Sequence, residues 1–136
     1  MSGVFVDTGA WFARFVPTDP DHPAARAWLD RNTQPLITTD YVVDELLTLL
    51  KVRGEYSRAL EIGPDLFDGR VCDLEWVTPA DAAEAWRVFS TYQDKGWSFT
   101  DCVSHVVMRR LGIATALAFD KHFREFGTIT VVPPID

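Results

Sequence analysis

Hydrophobic and polar positions alternate between two periods along the chain. Val4-Phe5-Val6 is an unbroken apolar run suited to a buried strand, and after Asp7 the pairs Trp11/Phe15 and Phe12/Val16 recur at i,i+4, the spacing of a helix. Pro17 and Pro20 stop that helix. Ala24/Trp28 and Ala25/Leu29 predict a second helix, Leu36-Ile37-Thr38 a second strand, and Val42, Leu46, Leu49 and Leu50 the stripe of a third helix ending near Gly54. Helical spacing resumes from Tyr56 to Ile62 and is predicted to break at Gly63-Pro64. Val71 to Val77 reads as extended. Thr78-Pro79-Ala80-Asp81 is a helix start whose stripe continues through Ala82, Trp86 and Phe89. Ser98 caps a further helix through Val103, Val107 and Leu111, which Gly112 ends, and Thr115–Phe119 and Ile129–Val132 are the last strands.

Short, continuously apolar strands alternating with helices imply a sheet covered on both faces. The expected architecture is a three-layer α/β/α domain over residues 1–136, with a central, mostly parallel sheet of about five strands. No repeat or low-complexity segment divides it. Ligands of such sheets bind beyond the carboxyl ends of the strands. Composition narrows the choice: 47% hydrophobic and 24% charged residues exclude a disordered or fibrous chain. A net charge of -7 argues against electrostatic coating of nucleic acid, unless carboxylates gathered around bound cations invert the local field. The late apolar stretch from Ile113 to Phe119 is far shorter than a membrane span, and the first residues lack a basic signal segment, so a cytoplasmic protein without membrane attachment is expected. Cys72 and Cys102 read as buried free thiols, and the five Trp residues mostly as packing.

Four acids stand where packing alone does not explain them. Asp7 and Asp120 each follow an apolar strand, at the end where the crevice opens, although each could also cap the next helix. Glu45 lies three residues after Val42 and four before Leu49, on the apolar stripe of its helix, where a carboxylate is costly without a partner. The alternative is a boundary side chain reaching water. Asp44 instead joins the polar line Asp40, Asp44, Thr48 and Lys51 and reads as surface. Asp101 completes Ser98-x-x-Asp101, a capping box, and could also pair with His105. Carboxylates gathered this closely repel one another unless a divalent cation joins them. A set of oxygens with no His or Cys suits Mg²⁺ or Mn²⁺ and the activation of a water for in-line attack on a phosphodiester. The site would be Asp7, Glu45, Asp101 and Asp120, with Ser98 and Thr100 supplying hydroxyls to orient the water.

These residues resemble a PIN domain: V-F-V-D-T at the start, D-E-L-L-T-L-L in the middle, S-F-T-D-C opening a late helix and A-L-A-F-D-K-H-F near the end. The likeness spans nearly the whole chain and is nearest to VapC-like toxins of type II toxin–antitoxin systems. It implies a Mg²⁺- or Mn²⁺-dependent ribonuclease, often homodimeric, whose metal-binding acids match Asp7, Glu45, Asp101 and Asp120, with Thr8 in support and a cognate antitoxin as partner. Many such proteins carry Ser two residues after the first Asp, where this chain has Gly9, which bears on metal affinity or rate. Arg14, Lys121, His122 and Arg124 are candidates for gripping RNA, with solvated surface as their alternative. Local likenesses compete. Asp7-Thr8-Gly9-Ala10 matches a retropepsin-like aspartic protease, but helical spacing follows it and three acids would lack a role. A receiver domain would need a second acid beside Asp7, and a non-catalytic binding module would be marked by loss of metal binding.

Overall fold

A computed structural model describes residues 2–134. Its strands are β1 (Val4–Val6), β2 (Leu36–Thr39), β3 (Asp73–Glu75), β4 (Thr115–Leu117) and β5 (Thr130–Val132). They form a five-stranded sheet in the order β3-β2-β1-β4-β5, with every neighbouring pair parallel. The helices are α1 (Thr8–Phe15), α2 (His22–Arg31), α3 (Asp40–Val52), α4 (Tyr56–Phe67), α5 (Pro79–Thr91) and α6 (Phe99–Leu111), with a 3₁₀ turn at Lys121–Glu125. Helices flank the sheet, as expected for an α/β/α fold.

Because the chain moves from β1 to β2 and β3 on one side and returns to β4 on the other, the sheet has its topological switch point between β1 and β4. A crevice opens there at the carboxyl ends of the strands. The floor of that crevice is rigid. Phe5, Val6, Ile37, Leu46, Leu117 and Trp11 are buried in one continuous core, and each such side chain contributes about 1.5–3 kcal/mol of burial. A smaller cluster joins α5 to α6 through Ala85, Val88, Cys102, Val103, Val106 and Val107. Cys72 and Cys102 are both buried and unpaired.

Two expectations change. Gly63-Pro64 does not end α4, which runs on to Phe67, and the Asp68 N–H still donates to the Pro64 carbonyl. A helical proline costs about 3 kcal/mol, part of it the lost bond to the residue four before. That residue, Leu60, is 61% exposed, whereas Ile62 and Gly63 before Pro64 and Leu66 after it are buried and offset the cost. The second change concerns α5. Its buried line is Asp81, Ala85 and Val88, while Trp86 is 61% exposed and Phe89 also faces outward. Of the five tryptophans, Trp11 is fully buried, Trp28 and Trp97 are half-buried, and Trp76 and Trp86 are exposed. Packing therefore explains fewer of them than the spacing implied.

Candidate active site

Asp7 leaves β1 and enters α1 as its N-cap residue, with extended backbone. Its position is over-determined. The Asp7 N–H donates to the Leu117 carbonyl at the end of β4 (3.1 Å), and the Asp7 carbonyl accepts from the Ala10 and Trp11 N–H groups. Beneath it, the buried Thr38 hydroxyl donates to the Val6 carbonyl (3.0 Å) and accepts from Trp11 Nε1 (3.2 Å). Thr38 and Trp11 act as positioning residues that sequence reading missed; the signal was a hydroxyl inside an apolar strand.

The Asp7 side chain does not cap its helix. The residue is 4% exposed, and its Oδ1 has no hydrogen-bond partner among the described residues. The Thr8 hydroxyl beside it is likewise buried and unpartnered. An orphaned buried carboxylate oxygen costs free energy. Burial, and next the charge of Asp101, push the Asp7 carboxyl up to about 8, against an opposing backbone donor at Thr8; Glu45 and Asp120 push the same way.

Asp101 sits in the first turn of α6, 6% exposed, in a complete capping box: the Ser98 hydroxyl accepts from the Asp101 N–H (3.0 Å), and Asp101 Oδ2 accepts from the Ser98 N–H (2.9 Å). The capping role is thus present. It does not leave the carboxyl at ease, because burial pushes it up to about 6, with Asp120 and Glu45 adding to the effect. His105 takes no part; its ring Nε2 faces the Thr128 hydroxyl at 3.2 Å.

The other two acids are less enclosed. Glu45 is half-buried on α3, short of the buried position its spacing implied, while Asp44 beside it is exposed as expected. Asp120 is exposed, and its Oδ1 accepts the His122 N–H (2.9 Å) at the head of the 3₁₀ turn. The other three carboxylates are all close enough to act on Asp7, yet among the described residues no three acid, His or Cys side chains converge to chelating distance. The crevice is a charged ring, looser than a cage.

The residues nevertheless fit a hard divalent cation. An unpartnered buried oxygen and two carboxyls held up by burial and mutual repulsion are what such an ion would satisfy, and the donors are all oxygens. Of the supporting hydroxyls, Ser98 is engaged with the Asp101 backbone, Thr8 is free, and Thr100 is half-buried beside Asp101. The basic candidates divide. Arg124 donates to the Val131 and Pro133 carbonyls (3.3 and 2.8 Å) and so fastens β5, whereas Lys121 is exposed beside Asp120 and Arg14 ends α1 half-buried.

The PIN domain family matches residues 4–129. The chain belongs to this family. It is 32% identical to the 23S rRNA-specific endonuclease VapC20 of Mycobacterium tuberculosis over 130 residues, covering 96% of this chain and 98% of that one. It is 29% identical to the ribonuclease VapC26 of the same organism over 136 residues, covering 96% of this chain and all of that one. The crystal structure of M. tuberculosis VapC20, described as a sarcin-ricin loop cleaving toxin, superimposes with a TM-score of 0.88 over 96% of this chain and 99% of that one. A toxin–antitoxin complex from Klebsiella pneumoniae shares the fold at a TM-score of 0.67, with 11% identity and 98% of each chain covered. The protease reading fails on the same ground: Asp7-Thr8-Gly9 opens a helix under a parallel sheet.

Proposed function

We propose that this chain is a VapC-type toxin, an endoribonuclease that hydrolyses RNA phosphodiester bonds with a divalent cation, Mg²⁺ or Mn²⁺, held by Asp7, Asp101, Glu45 and Asp120. The observation that carries the reading is the buried Asp7 carboxylate, fixed by β1 and β4, with one oxygen unpartnered and Asp101 facing it. When bound, the cation supplies Lewis-acid chemistry that activates water and offsets phosphate charge. The chain's own groups do the rest. Asp7 and Asp101, ionised when a cation offsets their burial and repulsion, would hold it at the switch point, and the Thr8, Ser98 and Thr100 hydroxyls orient the attacking water. Asp120 and Glu45 close the ring from the more open side. The likeness to VapC20 makes 23S rRNA the first substrate to try. No helix among the described residues is long and apolar enough to cross a membrane. A cytoplasmic homodimer blocked by a cognate antitoxin completes the proposal; the toxin–antitoxin complex among its structural neighbours supports the antitoxin.

The test is cleavage of 23S rRNA and of a mixed cellular RNA pool with Mn²⁺, Mg²⁺ or EDTA, with Asp7→Asn as control. Metal-dependent cleavage lost in the variant supports the proposal. No cleavage of any RNA, together with no thermal stabilisation by Mn²⁺, overturns it in favour of a non-catalytic module.

A further inference from the structure

Beside the acidic crevice lies a cavity of about 310 Å³ with the opposite charge. Its wall carries Arg87, Lys95 and Arg109 against one acid, Glu125, in a protein whose acids outnumber its bases 20 to 13. The three cations are not equivalent. Arg87 is held by Glu84 (2.6 Å) and Lys95 reaches Glu125 at 3.8 Å, but Arg109 makes no ion pair among the described residues. Flat rings line the same space. Phe126 is sandwiched between Trp97 (centroids 4.0 Å apart) and His105 (4.3 Å), and Tyr92 stands edge-on to Trp97 at 5.7 Å.

The cavity is joined to the crevice by short links. Trp97 immediately precedes the Ser98 cap of Asp101, and its indole N–H donates to the His122 carbonyl (2.9 Å), while the His122 N–H donates to Asp120. Gly96 makes that contact close: a Cβ there would lie 2.4 Å from the His122 ring. On the far side, His105, Arg109 and Thr128 also line a second cavity of about 480 Å³ reaching Gly112 and Ala114. The two form one groove leading away from the carboxylates.

From this we infer that the groove walled by Lys95, Arg109, Tyr92 and Trp97 is an RNA-binding subsite, which takes the single-stranded nucleotides flanking the bond that is cut. Cations along such a groove are what a polyanionic strand requires, Tyr92, 45% exposed, is a ring open to a base, and an acidic crevice needs such a neighbour to retain the strand. The inference rests on the ribonuclease reading for its biological sense, but binding can be measured without cleavage.

The probe is a fluorescein-labelled single-stranded A₁₂ RNA titrated by anisotropy into the full chain in EDTA. Lys95→Glu/Arg109→Glu is expected to weaken binding about tenfold or more, and Arg109→Ala severalfold. Removing one phosphate contact should flatten the slope of log K against log salt by ~0.7. Arg26→Glu/Arg31→Glu, which makes the same change in net charge as the double variant at two exposed positions of α2, serves as the control for net charge and should bind as wild type. With 23S rRNA, Arg109→Ala should raise KM more than it lowers kcat. Wild-type affinity and salt slope in the folded double variant overturn the inference. So does a defect seen solely in self-association or in antitoxin capture, which would make the groove a protein interface. If the wild type binds RNA through this groove yet cuts none, the subsite stands and the catalytic reading falls.

Discussion

Two consecutive helices begin with the same device and come to opposite electrostatic ends. Thr78-x-x-Asp81 opens α5 and Ser98-x-x-Asp101 opens α6; both are complete capping boxes, and the two acids are 3% and 6% exposed. Asp81 meets Arg110, which donates to both its oxygens (2.9 and 2.8 Å) and also reaches Glu75 (2.8 Å). Those hydrogen bonds hold the Asp81 carboxyl below its usual range. Asp101 meets other carboxylates and is pushed up to about 6 by burial and by Asp120. The protein carries its own cation to one acid and leaves the other for a cation from solution. A cap motif alone therefore says nothing about role; the charge that faces it does.

The sharpest way to break the comparison is to neutralise each acid in turn. Asp101→Asn should cut metal-dependent RNA cleavage on the order of 10³-fold while the metal-free protein melts at or above the wild-type temperature, because a repulsive buried charge has gone. Asp81→Asn should do the reverse, leaving cleavage within a few-fold and lowering stability. Rate assays and thermal melts in EDTA read both. Equal loss of activity and stability in the two variants would dissolve the distinction.

Titration gives the next largest effect. A carboxyl whose folded pKa is raised retains its proton in the fold, so its contribution to stability is fully present below the unfolded value and is lost as pH rises through the folded value. For Asp7 that window runs from 3.8 to about 8. Metal-free protein should lose stability across it by at most ~1.4 kcal/mol per pH unit from this group. Asp81 has the opposite sign: its contribution is present above the unfolded pKa and is lost as pH falls below it. Above about pH 7, where Asp101, with its value of about 6, is largely ionised, the remaining slope belongs mainly to Asp7. Chemical denaturation in EDTA from pH 4 to 8 should show the decline in the wild type, a flatter curve in Asp7→Asn, and a reduced decline with Mn²⁺ present. An unchanged slope in Asp7→Asn would refute the assignment.

Removing the resident cation should cost less. Arg110→Ala leaves Asp81 buried against Glu75 with no counter-charge, and with the guanidinium about one-third exposed the expected loss is about 1–3 kcal/mol. Cleavage by the folded fraction should persist, which separates this network from the crevice in a single denaturation experiment.

The same contrast explains what the sequence could show. Strand-end acids, cap signals and helical stripes are local, and they located Asp7, Asp101 and the order of the elements without knowledge of packing. Arg110 and Asp81 are 29 residues apart, and no period along the chain joins them. Pro64 misled because its helical penalty is local while the burial of Leu66 that outweighs it is tertiary. Trp86 misled in the other direction, since helical spacing cannot tell a core stripe from a face left open. Arg124 looked free until β5 was placed, because the carbonyls it holds belong to that strand and to the residue just after it, later in the chain.

The smallest effect tests a residue that is absent. Gly9 occupies the first turn of α1, beside the unpartnered Thr8 hydroxyl, and a Cβ built there meets nothing within 4 Å. Space is therefore no obstacle to the hydroxyl that the family resemblance leads one to expect at this position. Gly9→Ala should raise stability by less than about 1 kcal/mol through helix propensity alone, with no change in metal affinity. Gly9→Ser should add to that a gain in Mn²⁺ affinity of up to about tenfold, the lower end of what outer-shell hydrogen bonds contribute at metal sites. Mn²⁺ titrations followed by thermal shift, run on both variants, separate the two contributions. If serine and alanine behave alike, the crevice gains nothing from a hydroxyl at position 9, and Thr8 supplies what support the metal needs.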